Sequence, residues 1–232
     1  MELTAFLSLQ LIAHLLLDFF FQTNRLAEIK NTKGFKSSFL YFHGLFAFLL
    51  SWIFSFQVDF VFFAFAIGMI HLLIDGLKNF WTRNDFIRKY IFFIDQAAHL
   101  AVIGIVSYLF YSQFGFENAI EINKKFVLIL TAFLISLKPA NIFIREVFRA
   151  TEIQVSSDNE MPNAGKVIGI LERILTLTLI LVSQYSAVGF LIAAKSILRY
   201  RSDETLKSEY VLIGTLLSFG IAVISGILVN IL

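Results

Sequence analysis

The chain has 232 residues, 58% of them hydrophobic, with 28 phenylalanines, a formal net charge of +2 and a mean hydropathy of +0.78. Too little polar surface remains to coat a soluble domain of this size, and no basic stretch reads as a nucleic-acid surface. With no cysteine, disulfides and thiolate metal ligands are excluded, so any metal must be held by nitrogen and oxygen.

The long apolar runs are rich in Leu, Ile and Phe and do not alternate in polarity as barrel strands do, which predicts an all-α, polytopic integral membrane helical bundle. The first run, Leu3–Phe21, has Glu2 where a signal peptide would be positive and no small-residue cleavage site before Arg25, so a retained transmembrane helix is expected. Runs suited to a hydrocarbon core of about 30 Å follow at 37–56, 60–77 and 90–111. In the second half, the run 126–137 meets Lys138-Pro139, a helical stretch continues to Phe148, and a polar loop occupies 151–163. Runs at 167–184, 187–198 and 211–232 follow, the second of them short enough to be tilted or partly re-entrant. About eight transmembrane helices result, divided into a His/Asp-bearing half at 1–112, an external loop at 113–125 and a second membrane half at 126–232 with a cytoplasmic loop at 149–165.

Basic residues orient these spans, because short loops rich in Lys and Arg stay in the cytoplasm. Arg25, Lys30, Lys33 and Lys36 follow the first span, and Lys78, Arg83, Arg88 and Lys89 follow the third. Lys138, Arg145, Arg149 and Lys166 follow the fifth, and Arg199, Arg201 and Lys207 the seventh. The alternate connections at Gln57-Val58-Asp59 and Tyr185-Ser186 carry no positive charge; only Lys124-Lys125, diluted by Glu117 and Glu121, departs from the pattern. Both termini are expected outside.

All four histidines lie in apolar runs, three of them one helical turn from an aspartate: His14 with Asp18, His71 with Asp75, His99 with Asp95. An ionisable group at such depth costs roughly 2.5 to 3.5 kcal/mol on insertion scales, so seven together call for a use. At about 1.5 Å of rise per residue, His14, His43, His71 and His99 fall about 9 to 13 Å from the cytoplasmic ends of their helices, in one layer. Residues four apart share a helix face, and Gln10, His14, Asp18 and Gln22 make a polar stripe fit to line a cavity or seam.

Imidazole and carboxylate without thiolate suit a divalent metal such as Zn, Mn, Fe or Ni. Four His and three Asp exceed one tetrahedral site, so the surplus forms a second metal site or orients imidazoles through their other nitrogen. In that reading His14, Asp18, His43, His71, Asp75, Asp95 and His99 are metal ligands, and a spare carboxylate among Asp95, Asp18 and Asp75 is the catalytic base. The same groups also fit interhelical hydrogen bonding or a proton or cation relay, and His43, with no carboxylate in its own turn, reads as the most structural of the four. In the second half, Glu172 either pairs with Lys195 or Arg173, or Arg173, Lys195 and Arg199, with Glu172 beside them, bind an anionic lipid or other head group. Lys138-Pro139 and Asn141 could join that mouth, and the glycines read as helix-packing positions.

The segments His14-Leu-Leu-Leu-Asp18-Phe-Phe-Phe-Gln22-Thr, His71-Leu-Leu-Ile-Asp75 with Lys78, Asp95-Gln96-Ala-Ala-His99, Gly169-Ile-Leu-Glu172-Arg173, Ala193-Ala-Lys195-Ser196-Ile-Leu-Arg199 and Glu209-Tyr-Val-Leu-Ile-Gly-Thr215-Leu-Leu-Ser218 carry a resemblance across most of the chain. Together they resemble the bacterial membrane family catalogued as domain of unknown function 3307 (DUF3307). The resemblance implies a bacterial inner-membrane protein and brings no activity with it. More loosely, the His-x-x-x-Asp layer is similar to that of membrane-bound metal-dependent hydrolases. The leading expectation is therefore a metal-dependent hydrolase of a lipid-linked or amphipathic substrate. The alternatives are a cation or proton-coupled transporter using the same layer, and a non-catalytic membrane partner of a soluble effector docking on the loop at 151–163.

Overall fold

The computed structural model describes residues 1–116, 122–153, 164–199 and 205–232, without the side chains of 198, 199 and 205–208. Most of the polar loop at 151–163, together with Glu117, Glu121, Arg201 and the side chains of Arg199 and Lys207, lies outside the described residues. Among the described residues every regular element is helical.

In chain order these are α1 (Leu3–Leu15, prolonged by a π-helical turn over Leu16–Phe21), α2 (Asn24–Lys33), α3 (Ser38–Ser55), α4 (Val61–Trp81), α5 (Asp85–Phe114), α6 (Lys124–Ser136), α7 (Lys138–Ala150), α8 (Ala164–Leu181), α9 (Tyr185–Arg199) and α10 (Thr205–Ile231). Their boundaries follow local chemistry. The Thr23 hydroxyl accepts the Leu26 amide at 3.3 Å and starts α2, and the Asn84 side chain accepts the Phe86 and Ile87 amides at 2.9 and 3.2 Å to start α5. Gly34, at φ +51°, stops α2 where a side chain would be strained, and Pro139, lacking an amide hydrogen, sits in the first turn of α7 where none is needed.

Among the described residues five segments are long and apolar enough to cross a membrane: Leu3–Phe21, Ser38–Ser55, Val58–Trp81, Asp85–Phe114 and Glu209–Ile231. A sixth arises if α6 and α7, bent by 44° at the Lys138-Pro139 break, are one span. The eight spans expected from the sequence exceed this count for two physical reasons. Helix α8 has the length of a span but carries Lys166, Glu172 and Arg173, and the apolar part of α9, Tyr185–Ile197, is short. Large apolar side chains face outward on these helices, with Phe62 80%, Phe42 61% and Tyr108 59% exposed.

The chain divides into two compact units, Met1–Thr131 and Ala132–Leu232. In the first, α1 and α4 each pack on both α3 and α5, so four helices close a ring around one core. One end of that core is aromatic: Phe6, Phe60 and Phe110 meet with ring centroids 5.0 to 5.9 Å apart, backed by Ala64, Ile67, Ile103 and Val106. Near this end Lys124 pairs with Glu2 at 2.7 Å and holds its carboxyl below the usual carboxylate range. Helices α3 and α4 approach most closely at two glycines, where a Cβ on Gly68 would stand 2.7 Å from Phe48 Cβ and 3.0 Å from the Gly44 carbonyl oxygen. In the second unit α8 packs on α10, with Gly226 against Ile180 and Leu177, and α7 meets α10 through stacked Phe148 and Tyr210 rings 4.4 Å apart.

Gly68→Val is therefore expected to destabilise the first unit by about 1 to 3 kcal/mol through overpacking against backbone. Gly104→Ala, which meets nothing within 4 Å, should be silent. Thermal unfolding in detergent separates the two.

Candidate functional site

Opposite the aromatic end, the four-helix ring closes on polar side chains. His14 ends α1, Asp18 sits in the π-helical turn, His43 lies in the second turn of α3, His71 and Asp75 share a face of α4, and Asp95 and His99 share a face of α5. Because consecutive helices of the ring reverse direction, positions late in α1 and α4 meet positions early in α3 and α5. All seven candidate ligands of the first half come together, with His14, His43, His71, Asp75, Asp95 and His99 each 5% exposed or less.

The contacts run between helices more than along them. Asp18 Oδ1 lies 3.1 Å from His43 Nε2 and 3.4 Å from His71 Nε2, whereas its i, i+4 neighbour His14 stands 3.9 Å from its other oxygen. The wide turn at Leu16–Phe21 re-aims Asp18 across the bundle, a use to which π-type turns are often put. His43, the histidine without a carboxylate in its own turn, proves central: its Nε2 is 3.1 Å from His71 Nε2 and 3.5 Å from Asp75 Oδ2. The His71 and His99 rings stack with centroids 4.0 Å apart.

Three side chains join that the sequence reading had not placed in the cluster. Lys30, 3% exposed, reaches in from α2 and donates to Asp75 Oδ2 at 2.7 Å. Lys78 pairs with Asp95 Oδ2 at 3.0 Å, and Gln96 donates to Asp18 and Asp95 at 3.3 Å each and stands 3.2 Å from His14 Nε2. Lys78 was legible, being three residues from Asp75 and so on the same helix face; Lys30 was not, since its place depends on a connector folding back. Helix α2 is held down by Asn79, which donates to the Thr32 carbonyl at 3.0 Å, and by Gly34 and Gly76, whose missing side chains admit close backbone approach and the Phe35 ring.

Among the described residues three buried atoms of the cluster have no hydrogen-bond partner in the protein, His14 Nδ1, Asp95 Oδ1 and His99 Nε2, and the last two stand 3.7 Å apart. Asp75 Oδ1 lies 3.9 Å from the same His99 nitrogen. Three triads have ligand atoms mutually within 4.8 Å: His14/Asp18/His71, His43/His71/Asp75 and Asp75/Asp95/His99. From the cluster a cavity of about 10 Å³, lined by His14, His71, Gln10 and Ser51, points toward the aromatic end. There the Gln10 amide donates to the Ser51 carbonyl at 2.9 Å and the Ser51 hydroxyl donates back to Gln10 Oε1 at 2.5 Å.

In the second unit Arg173, 1% exposed, donates through Nε to the Ser136 carbonyl at 2.7 Å, through Nη1 to Ser218 Oγ at 2.8 Å and through Nη2 to Asn141 Oδ1 at 2.6 Å. Its guanidinium caps the carbonyl end that the α6–α7 break leaves open. Lys195 donates to Glu172, which is the ion pair among the sequence expectations. Arg199 belongs to the residues whose side chains are not described.

The family described as Protein of unknown function (DUF3307) matches residues 6–134, a stretch that contains every member of the His/Asp cluster. No curated protein and no solved structure matches the chain.

Replacing the arginine cap tests its structural weight. Arg173→Met, which leaves the Ser136 and Leu137 carbonyls, Asn141 and Ser218 without their donor, should cost about 2 to 5 kcal/mol, while Lys195→Met, which unpairs the less buried Glu172, should cost less than that. Denaturation midpoints of the two variants in detergent read the difference.

Proposed function

Since the chain belongs to the DUF3307 family, whose description assigns no activity, we propose its function from the cluster itself: a multi-pass membrane protein that holds divalent metal in the apolar bundle and hydrolyses a lipid-linked or amphipathic substrate. The proposal includes about eight crossings of a bacterial inner membrane, both termini outside, with α8 and the short α9 completing the count. The observation that carries the metal reading is the orphaned pair Asp95 Oδ1 and His99 Nε2. Buried polar atoms without hydrogen bonds are rare because each costs about 1 to 3 kcal/mol.

Zn, Mn or Fe fits this donor set. Asp95 Oδ1 and Asp75 Oδ1, 3.7 and 3.9 Å from His99 Nε2, are close enough that these three residues would hold one ion. His71 and Asp75 each belong to two of the three triads, so these two residues would serve more than one ion position.

A divalent ion held there supplies Lewis acidity toward an ester, phosphoester or amide oxygen. The chain's own residues do the rest. Asp75 and Asp95 each have an ammonium partner, whereas Asp18 is met within ion-pair range by imidazoles alone among the described residues, which leaves it to accept a proton from water. Gln96, bridging Asp18 and Asp95, fixes the orientation of both carboxylates. Arg173 and Lys195 spend their donors inside the second unit, on Ser136, Ser218, Asn141 and Glu172.

The cavity toward Gln10 and Ser51 favours a second reading, a proton or cation-coupled transporter. Its volume of about 10 Å³ admits one water, and polar groups continue at its far end.

Elemental analysis of the detergent-purified chain should find near-stoichiometric Zn, Mn or Fe, reduced at least about tenfold in His99→Ala. Asp18→Asn should keep metal and fold while losing hydrolysis of amphipathic esters. Metal-free protein from a mild preparation would overturn the metal reading, and ion flux through sealed proteoliposomes stripped of metal would establish the transporter in its place.

A further inference from the structure

The charge balance of the cluster points beyond a metal. Three carboxylates, Asp18, Asp75 and Asp95, face two ammonium groups, Lys30 and Lys78, within ion-pair distance. With the imidazoles neutral, as metal ligation requires, one negative charge is left over. A divalent ion adds two positive charges to a cluster enclosed in an apolar layer, where a change of net charge is costly. The loaded centre therefore calls for an anion of its own.

The lysines are placed to meet it. Each grips the far oxygen of a carboxylate whose near oxygen faces the metal position: Lys30 holds Asp75 Oδ2 while Oδ1 points to His99, and Lys78 holds Asp95 Oδ2 while Oδ1 points to His99. Once the carboxylates share their charge with an ion, their hold on the two ammonium groups weakens, and each ammonium brings three rotatable donors on a flexible stem. Lys78, 12% exposed along its side chain, is the more open of the two.

We propose that Lys30 and Lys78, with the metal, form a binding site for a phosphomonoester. This rests on the metal reading above and names its substrate class. The two ammonium groups sit on the Asp75 and Asp95 carboxylates that flank the ion position, which with the ion makes three cations; a phosphomonoester presents three non-bridging oxygens and a carboxylate only two. A dianionic phosphate offsets both charges of the ion, so that ion and phosphate together leave the net charge of the cluster unchanged. The phosphoryl group comes either from a lipid head group or from a soluble phosphate.

The test is the linkage between metal and phosphate on the full chain in nanodiscs, measured as Mn2+ affinity at buffered free Mn2+ with and without inorganic phosphate. Phosphate should tighten Mn2+ binding about tenfold, and by reciprocity Mn2+ should tighten phosphate equally. Lys78→Gln should keep Mn2+ binding and lose the phosphate effect, and Lys78→Arg should restore it. If Lys78→Gln does not fold, the wild-type linkage decides by itself. Mn2+ binding that is indifferent to phosphate overturns the proposal while leaving the metal reading intact; failure to bind Mn2+, Zn2+ and Fe2+ alike overturns both. Nanodiscs of phosphatidate against phosphatidylcholine, free of inorganic phosphate, separate the sources: a shift confined to phosphatidate assigns a lipid head group, and a shift seen only with free phosphate assigns a soluble one.

Discussion

Three carboxylates buried at one end of an apolar helix ring set the terms for the first unit. An ionised carboxylate leaving water loses several kcal/mol of hydration even after relaxation, and recovers it only where charge and hydrogen bonds are both supplied nearby. Here the supply comes from every surrounding element: imidazoles from α1, α3, α4 and α5, an amide from α5, and ammonium groups from α4 and α2. Removing any one element leaves a charge exposed to hydrocarbon. This makes the cluster a register device as well as a candidate site, because sliding one helix by a residue would separate donors from acceptors that now stand about 3 Å apart.

The short helix α2 shows how far the fold is bent to that end. Its composition is polar, and by itself it has no reason to lie against a membrane bundle. It is capped at Thr23, stopped at Gly34 by a positive φ, and pressed against α4 where Gly76 makes room for the Phe35 ring. The result of those three local choices is that one ammonium group reaches Asp75. Local turn chemistry and long-range electrostatics agree, which is what consistency across levels of structure means in practice.

What could be read from the sequence divides along the same line. Helical class, the apolar segments and the shared layer of four histidines follow from composition and from a fixed rise per residue, so they were legible before any contact was known. The identity of the contacts was not. An i, i+4 spacing suggests that His14 serves Asp18, yet the π-helical turn hands Asp18 to His43 and His71, and no periodicity argument sees a wide turn coming. Lys30 and Lys78 read as orientation signals because Lys near a span end usually is one; that the same charge also neutralises a buried aspartate depends on a tertiary fold. Counting spans ran into the same difficulty at α8, where Arg173 raises the cost of insertion by sequence criteria but spends its donors on carbonyls inside its own unit.

That last point bears on how the second unit keeps a broken helix. A chain that stops being helical inside hydrocarbon exposes carbonyls with no water to receive them. At the break after Ser136 the amide that Pro139 lacks cannot help, and an arginine can, because its planar fork serves several acceptors at fixed angles from a single stem. Arg173 meets Ser136, Asn141 and Ser218 at once and thereby ties α6, α7, α8 and α10. Its neighbour Glu172 then needs a different cation, which Lys195 of α9 provides. The two units thus solve one problem in opposite ways: the first buries negative charge and recruits lysines to it, and the second buries a positive charge and satisfies it with neutral oxygens. The first arrangement leaves imidazole and carboxylate atoms without a hydrogen bond, at His14, Asp95 and His99, whereas the second leaves only hydroxyl and amide atoms, at Ser136, Asn141 and Thr176, among the described residues; the donors suited to a metal are thus in the first unit.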